Sequence, residues 1–231
     1  MKIVLKDKTL TVRKWKGKDK KRFMNLMQQP EPDEDQIMQT LVYNCIESAV
    51  GPNGVIDIND IILSTDEFKY TISMIRSASL GDEIEYNFYC TECSETKKRI
   101  YNITDIIKGS FGDGESISAD GVEIILGGIR NKEYYLEKLK EGSIFDFFLR
   151  IKSINGNDSF DLDFLIDFFD DLDIDIIDDV LGQYDDIRFK VDDVNEFVCD
   201  CGHTEKFHFD ELPEFFPSEW FNEESLISSF K

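Results

Sequence analysis

The spacing of apolar residues changes along the first third of the chain, and each change marks a new element. Apolar and polar residues alternate over 2–13, which predicts a β-hairpin. Apolar residues then recur every three or four positions over 18–29 and again over 33–49, which predicts two helices. A third helix is predicted over 64–79, because its first residues have the spacing of an N-terminal capping box.

Two stretches of the chain share the order helix, strand, cysteine pair, strand. In 65–103, an alternating strand runs into Cys90 and a returning strand follows Cys93. In 163–209, a similar strand ends at Cys199. This weak internal repeat places two cysteine pairs at the tips of two hairpins.

The second half alternates short helical patterns with polar stretches. Four glycines predict a loop over 109–121, and helical spacing predicts helices over 131–141, from 143, and twice within 158–186. The last of these ranges contains twelve Asp and no Lys or Arg. Since Phe, Leu and Ile interleave with the aspartates, we expect amphipathic helices with a solvated acidic face. A final amphipathic turn is predicted over 222–230.

These elements predict an α+β fold with mixed helices, short antiparallel hairpins and a zinc-ribbon-like site that joins two pseudo-repeated halves. We place an N-terminal region with the first cysteine hairpin at 1–130 and an acidic, helical C-terminal region with the second at 131–231. Hydrophobic residues make up 41 % of the 231 positions, which is enough for a sizeable core. No apolar run approaches the roughly 18–20 residues of a membrane span, and no signal peptide is apparent. We therefore expect a cytosolic protein.

The charge is unevenly distributed. The chain carries a net −22, yet residues 1–22 alone carry ten basic and two acidic side chains. Such asymmetry suggests a basic arm that binds an acidic partner, whereas the acidic remainder would repel nucleic acid or simply keep the protein soluble. The candidate partner-binding residues are Lys14, Lys16, Lys18, Lys20, Lys21 and Arg22.

The cysteine pairs carry the clearest chemical signal. In a reducing compartment such pairs indicate metal ligands and not disulfides. Structural zinc takes four thiolate or imidazole ligands, so we predict one Zn²⁺ bound by Cys90, Cys93, Cys199 and Cys201. The CxC spacing of the second pair is less usual than CxxC, which leaves His203 as an alternative ligand.

Other interpretations of the cysteines are weaker. A redox-active CxxC would require a βαβ frame that the pattern lacks. Each pair could also bind a separate metal with a partner chain, or the thiols could be inert. Cys45 lies on an apolar helix face and is expected in the core. No phosphate-binding, dinucleotide-binding or GxSxG motif is present, so nothing suggests an enzyme.

The order of signals over 2–130 resembles the baseplate hub subunit family of T-even-type contractile-tailed bacteriophages. The resemblance rests on a basic hairpin that ends near 13–15, on the segment 72–84 with its Arg-Ser and Gly-Asp-Glu, and on the strand into Cys90 and Cys93. It implies a non-enzymatic protein that contacts other baseplate and tail proteins, first in the host cytoplasm and then in the virion tail.

Three functions remain open from the sequence. The first is a structural component of the baseplate, in its hub or wedge region, that acts through protein–protein contacts. The second is an assembly chaperone that is absent from the mature virion. The third is a zinc-ribbon regulator that binds nucleic acid, although the net charge of −22 opposes this. Neither a membrane nor a small-molecule substrate is expected as a partner.

Overall fold

The computed structural model describes residues 1–29, 34–127, 143–192 and 194–208. This part of the chain contains seven α-helices and thirteen short strands, and the strands form five antiparallel sheets. The α+β fold class predicted from the sequence is therefore confirmed. Among the described residues, no helix is both long and apolar enough to cross a membrane.

A four-stranded sheet and three helices build the first core. The strands, which pair in chain order, are β1 (Lys2–Val4), β2 (Thr9–Val12), β3 (Ile46–Gly51) and β4 (Gly54–Ile56). The helices are α1 (Gly17–Met27), α2 (Glu34–Tyr43) and α3 (Thr65–Leu80), with a 3₁₀ turn at Ile58–Asp60. The predicted N-terminal hairpin is confirmed, and so is the capping box of α3, in which Ser64 and Glu67 satisfy each other's backbone amides.

The second predicted helix is too long. Helical spacing continues to Ala49, but α2 ends at Tyr43 and Ile46 already begins a strand that pairs with β2. A register shift in that pairing turns both Ile46 and Ala49 inward, although they are three residues apart. An irregular strand of this kind imitates helical periodicity, because the bulge breaks the usual alternation of two. The predicted cap of this helix, Asp33, lies outside the described residues.

The first cysteine hairpin follows α3 directly. It consists of β5 (Glu83–Tyr89) and β6 (Thr96–Asn102), and the short helix α4 (Ile103–Ile106) follows it. The inward side chains of Ile84 and Ile103 belong to the first core. The hairpin is therefore anchored at its base, and its cysteine tip projects beyond the core.

A second core lies between one three-stranded sheet and three helices. Its elements are β8 (Ser116–Ala119), β9 (Val122–Leu126), α5 (Ser143–Arg150), β10 (Ile151–Ile154), α6 (Leu162–Asp170) and α7 (Ile174–Ile187). Two flanking strands, β7 (Lys108–Phe111) and β11 (Phe189–Asp192), pair with each other, and Phe189 belongs to the first core. Phe147, Phe169 and Tyr184 are buried in this core, whereas every aspartate between 158 and 186 is exposed. The predicted acidic helix faces are confirmed.

The predicted loop over 109–121 is largely wrong. Its first part is β7, which pairs with β11 from the far end of the chain, and its last part is β8. Two of the four glycines, Gly109 and Gly112, are required for space, whereas Gly114 and Gly121 adopt positive φ angles of 118° and 83°. A Cβ at Gly112 would overlap the carbonyl oxygen of Asp186, and one at Gly109 would lie 2.6 Å from the Phe189 ring.

The second cysteine hairpin completes the described chain. It consists of β12 (Val194–Val198) and β13 (Thr204–His208). The helix predicted over 131–141 and the turn predicted over 222–230 lie outside the described residues. Residue 130, the predicted boundary between the N-terminal and C-terminal regions, also lies outside the described residues. This boundary therefore stays a prediction.

A buried ion network connects the two cores. Lys8 Nζ lies 3.1 Å from Glu67 Oε1, and Arg150 Nη2 lies 3.6 Å from Glu67 Oε2. All three residues are at most 9 % exposed. Lys8 precedes β2, Glu67 belongs to α3, and Arg150 ends α5. The Glu67 carboxylate therefore pairs with one cation beside the first core and with one from a helix of the second core.

We expect Glu67→Ala to destabilise the protein strongly, because it removes the carboxylate that two buried cations share. Breaking a buried ion pair from one side costs roughly 3–5 kcal/mol. The free energy of unfolding in urea measures the loss. Glu47→Ala is the matched control at an exposed position, and it should change stability by less than about 0.5 kcal/mol. Equal stability of both variants would contradict the role of the network.

Candidate metal centre

The tips of the two cysteine hairpins are built as tight turns. In the first, the Cys90 amide donates to the Glu95 carbonyl at 2.9 Å and the Ser94 amide donates back to the Cys90 carbonyl at 2.9 Å. Ser94 has a left-handed φ of 57°. In the second, the Cys199 amide donates to the His203 carbonyl at 2.8 Å, and Gly202 takes the left-handed position with φ 93°.

The four sulfurs at these tips converge on one point. The Cys90 and Cys201 sulfurs are 3.7 Å apart, and those of Cys93 and Cys199 are 3.6 Å apart. All four lie within 4.8 Å of one another. A tetrahedral thiolate site with metal–sulfur bonds of about 2.3 Å has sulfur–sulfur edges of roughly 3.8 Å. The four cysteines are thus placed so that they could hold a metal ion.

His203, the alternative ligand from the sequence, is not part of this group of four. Its ring Nε2 lies 3.4 Å from the Thr91 hydroxyl oxygen, on the turn of the opposite hairpin. The histidine therefore contributes a contact between the two tips, while the sulfurs form the cluster.

The backbone around the sulfurs affects their protonation. The Cys93 amide, helped by the Glu92 amide and opposed by burial, lowers the pKa of Cys90 to about 6. At Cys93 the Glu95 amide acts in the same direction, but burial and hydrogen bonds to the neighbouring sulfurs outweigh it and raise the pKa to about 12. Loss of the thiol protons would leave four closely spaced negative charges. A divalent cation bound between them would offset that repulsion.

An aromatic cluster packs next to the four sulfurs. The Phe88 and Phe197 rings, one from each hairpin, stack with centroids 4.3 Å apart and an interplanar angle of 9°. Phe207 packs against Phe88 and Tyr86. Phe88 and Phe197 are at most 5 % exposed, and they form a small core of their own with Cys90 and Cys199. This apolar contact between the hairpins packs against the sulfur cluster and excludes water from that side of it.

The candidate partner-binding residues do not form a loose arm. Arg13 holds the start of α1 through two hydrogen bonds to the Asp19 carboxylate, at 2.6 and 3.0 Å, and Trp15 donates its ring N–H to the Leu41 carbonyl. Five of the six basic residues are exposed, and Lys20 is half-buried. Two of the six residues precede α1 and four lie on it. Together we call them the basic helix face: Lys14, Lys16, Lys18, Lys20, Lys21 and Arg22.

Ion pairs across the hairpins are a feature that the sequence did not reveal. The Asp200 carboxylate lies 3.3 Å from Lys97 Nζ and 3.1 Å from Arg99 Nη2. These two cations hold the pKa of Asp200 below its ordinary value. Neighbours on different hairpins leave no periodic signal, since their contact depends on how the hairpins dock.

We expect Cys90→Ser to lose most of the bound metal and to lower Tm by at least about 5 °C. Metal-binding energy of a structural site is folding energy, and each kcal/mol shifts Tm by about 2–4 °C at this size. Elemental analysis and a thermal scan measure both effects.

Cys45→Ala is the matched control. Cys45 is fully buried in the first core, as predicted, and burial raises the pKa of its thiol to about 11. This variant should keep its metal. A Cys90→Ser protein with unchanged metal content and Tm would contradict the assignment.

The chain matches one protein-family model, and the match is long. The model described as T4 bacteriophage base plate protein covers residues 1–217, which includes both cysteine pairs and the basic helix face. No curated protein and no solved structure matches the chain. The resemblance to phage baseplate proteins that the sequence motifs suggested is confirmed. With 217 of its 231 residues matched, the chain belongs to the T4 bacteriophage base plate protein family, a family of structural baseplate components.

Proposed function

We propose that the chain is a non-enzymatic building block of the hub or wedge region of the baseplate, where it acts through protein–protein contacts. The observation that carries this proposal is the family match over 1–217. The fold supports it, because ion pairs between cores and a shared cysteine cluster join distant parts of the chain into one body. A rigid body with a charged, exposed surface is suited to assembly.

The proposed cofactor is one structural Zn²⁺ bound by Cys90, Cys93, Cys199 and Cys201. Zn²⁺ readily adopts the tetrahedral arrangement that four thiolates supply, and the spacing of the four sulfurs suits that arrangement. The ion would fix the angle between the two cysteine hairpins. In this role it supplies stability and shape, and no reaction.

The basic helix face is proposed to contact an acidic neighbour in the baseplate. Lys18, Lys21 and Arg22 lie three or four residues apart, so they project from one side of α1. All three are exposed, and the helix beneath them is anchored to the core through Phe23. A docked helix presents its cations at lower entropic cost than a flexible arm would.

Two alternatives remain. The chain could be an assembly chaperone in the host cytoplasm that leaves before the virion matures, since the same contacts would serve transient binding. A zinc-ribbon regulator of nucleic acid is disfavoured, because the net charge of −22 opposes binding to phosphates.

Mass spectrometry of purified, mature virions separates the first two functions. A structural component should be recovered with the baseplate at a constant ratio to other tail proteins after stringent washing. Detection in infected-cell lysate together with absence from the virion would contradict the structural role and support the chaperone.

We expect the triple variant Lys18→Glu, Lys21→Glu, Arg22→Glu to weaken incorporation into baseplates at least tenfold at low salt. Each reversal turns an attraction into a repulsion at the contact, and salt screens both, so the difference should shrink as salt rises. Quantitative blotting of assembled particles measures incorporation.

The matched control has the same net charge at other exposed lysines: Lys98→Glu, Lys108→Glu and Lys206→Glu. It should assemble nearly as well as the wild type. Equal loss in both triple variants would show that net charge, and not the basic helix face, determines assembly.

A further inference from the structure

The short CxC spacing of the second cysteine pair leaves one residue between two sulfurs of the cluster. That residue is Asp200, whose side chain is 68 % exposed yet reaches across to the other hairpin. Its two carboxylate oxygens are divided between two cations: Oδ2 lies 3.3 Å from Lys97 Nζ, and Oδ1 lies 3.1 Å from Arg99 Nη2.

Both cations lie on the side of β6 that faces the second hairpin. They are two residues apart on a strand, so they project in the same direction, and Lys98 between them projects to the opposite side, where it pairs with Glu85. The Arg99 guanidinium also lies 5.5 Å from the centroid of the Phe197 ring, which belongs to the second hairpin. Lys97 is held further by Glu95 at 2.6 Å.

We propose that Asp200, Lys97 and Arg99 form an ion-pair clasp that positions the Cys199–Cys201 turn over the first hairpin and thereby determines how firmly the metal is held. This inference rests on the proposed zinc site. The three are positioning residues, since none of them contributes a sulfur. They act through the backbone that carries Cys199 and Cys201 on either side of Asp200.

The clasp compensates for the short spacing. A CxC turn fixes two ligands with a single residue between them, so any rotation of that residue displaces both sulfurs together. Anchoring its side chain on two partners from the opposite hairpin restrains the rotation. Partners that hydrogen-bond a metal ligand directly change metal affinity by about 10–100-fold when they are removed. The clasp acts on the backbone between two ligands through exposed ion pairs, so we expect a smaller effect of roughly three- to tenfold.

The test measures zinc transfer from the full-length protein to a chromogenic chelator in excess. Asp200→Asn keeps the shape of the side chain and removes its charge, and Lys97→Ala with Arg99→Ala removes the clasp from the other side. Both should release zinc roughly three- to tenfold faster than the wild type at low salt. Wild-type release should speed up as salt rises, while release from the variants should change little.

Three comparisons isolate positioning from general stability. Lys98→Ala, on the opposite side of the same strand, should release zinc at the wild-type rate. Asp200→Glu should restore slow release, because it keeps the carboxylate. The cobalt-substituted variants should retain the absorption of a four-sulfur site, since no ligand is changed.

Two results would overturn the clasp. Wild-type and clasp variants that hold one zinc each and release it at the same rate at low salt would contradict it and leave the zinc centre intact. A wild-type protein that binds no zinc would contradict the zinc centre and the clasp together. If Asp200→Asn fails to fold, the Lys97 and Arg99 variant makes the same test from the first hairpin.

Discussion

The docking of the two cysteine hairpins brings together four sulfurs from two places more than 100 residues apart. Cys90 and Cys201 are separated by 111 positions, yet their sulfurs are 3.7 Å apart. An ion that binds all four sulfurs only in the folded chain, as proposed for zinc, would add its binding energy to the stability of the fold. The stacked Phe88 and Phe197 rings connect the same two hairpins without metal, and they keep the sulfurs together on an apolar base.

Charge serves two different purposes in this acidic chain. Along α6 and α7 the aspartates are exposed and keep the outer surface negative. At the junctions between parts of the chain, the cations are the connecting groups. Lys8 and Arg150 share Glu67, Lys6 donates to the Gly114 carbonyl at 2.8 Å, and Arg188 pairs with Asp66. A chain with 26 Lys and Arg against 48 Asp and Glu thus uses several of its cations to hold its own parts together, while five of the six residues of the basic helix face are exposed.

Local patterns predicted the local elements, and the cysteine spacing predicted the cluster. The N-terminal hairpin, α1, α3 and both cysteine hairpins follow from alternation, helical spacing and capping residues. Prediction from the sequence failed where strand pairing is non-local or irregular. Nothing in 109–121 signals that β7 pairs with β11, because the partner strand is some 80 residues away. The bulge at Glu47, between Ile46 and Ser48, imitated a helix, and the Asp200 clasp exists only once two hairpins have docked.

The chain belongs to a phage baseplate protein family, and the proposed zinc centre would fix the angle between its two cysteine hairpins. X-ray absorption at the zinc edge on the purified, reduced protein tests this account most directly, since it reports the element, the ligand type and the bond length at once. The account predicts four sulfur ligands at about 2.3 Å. A spectrum with nitrogen or oxygen ligands in place of sulfur, or a protein that contains no zinc, would contradict it.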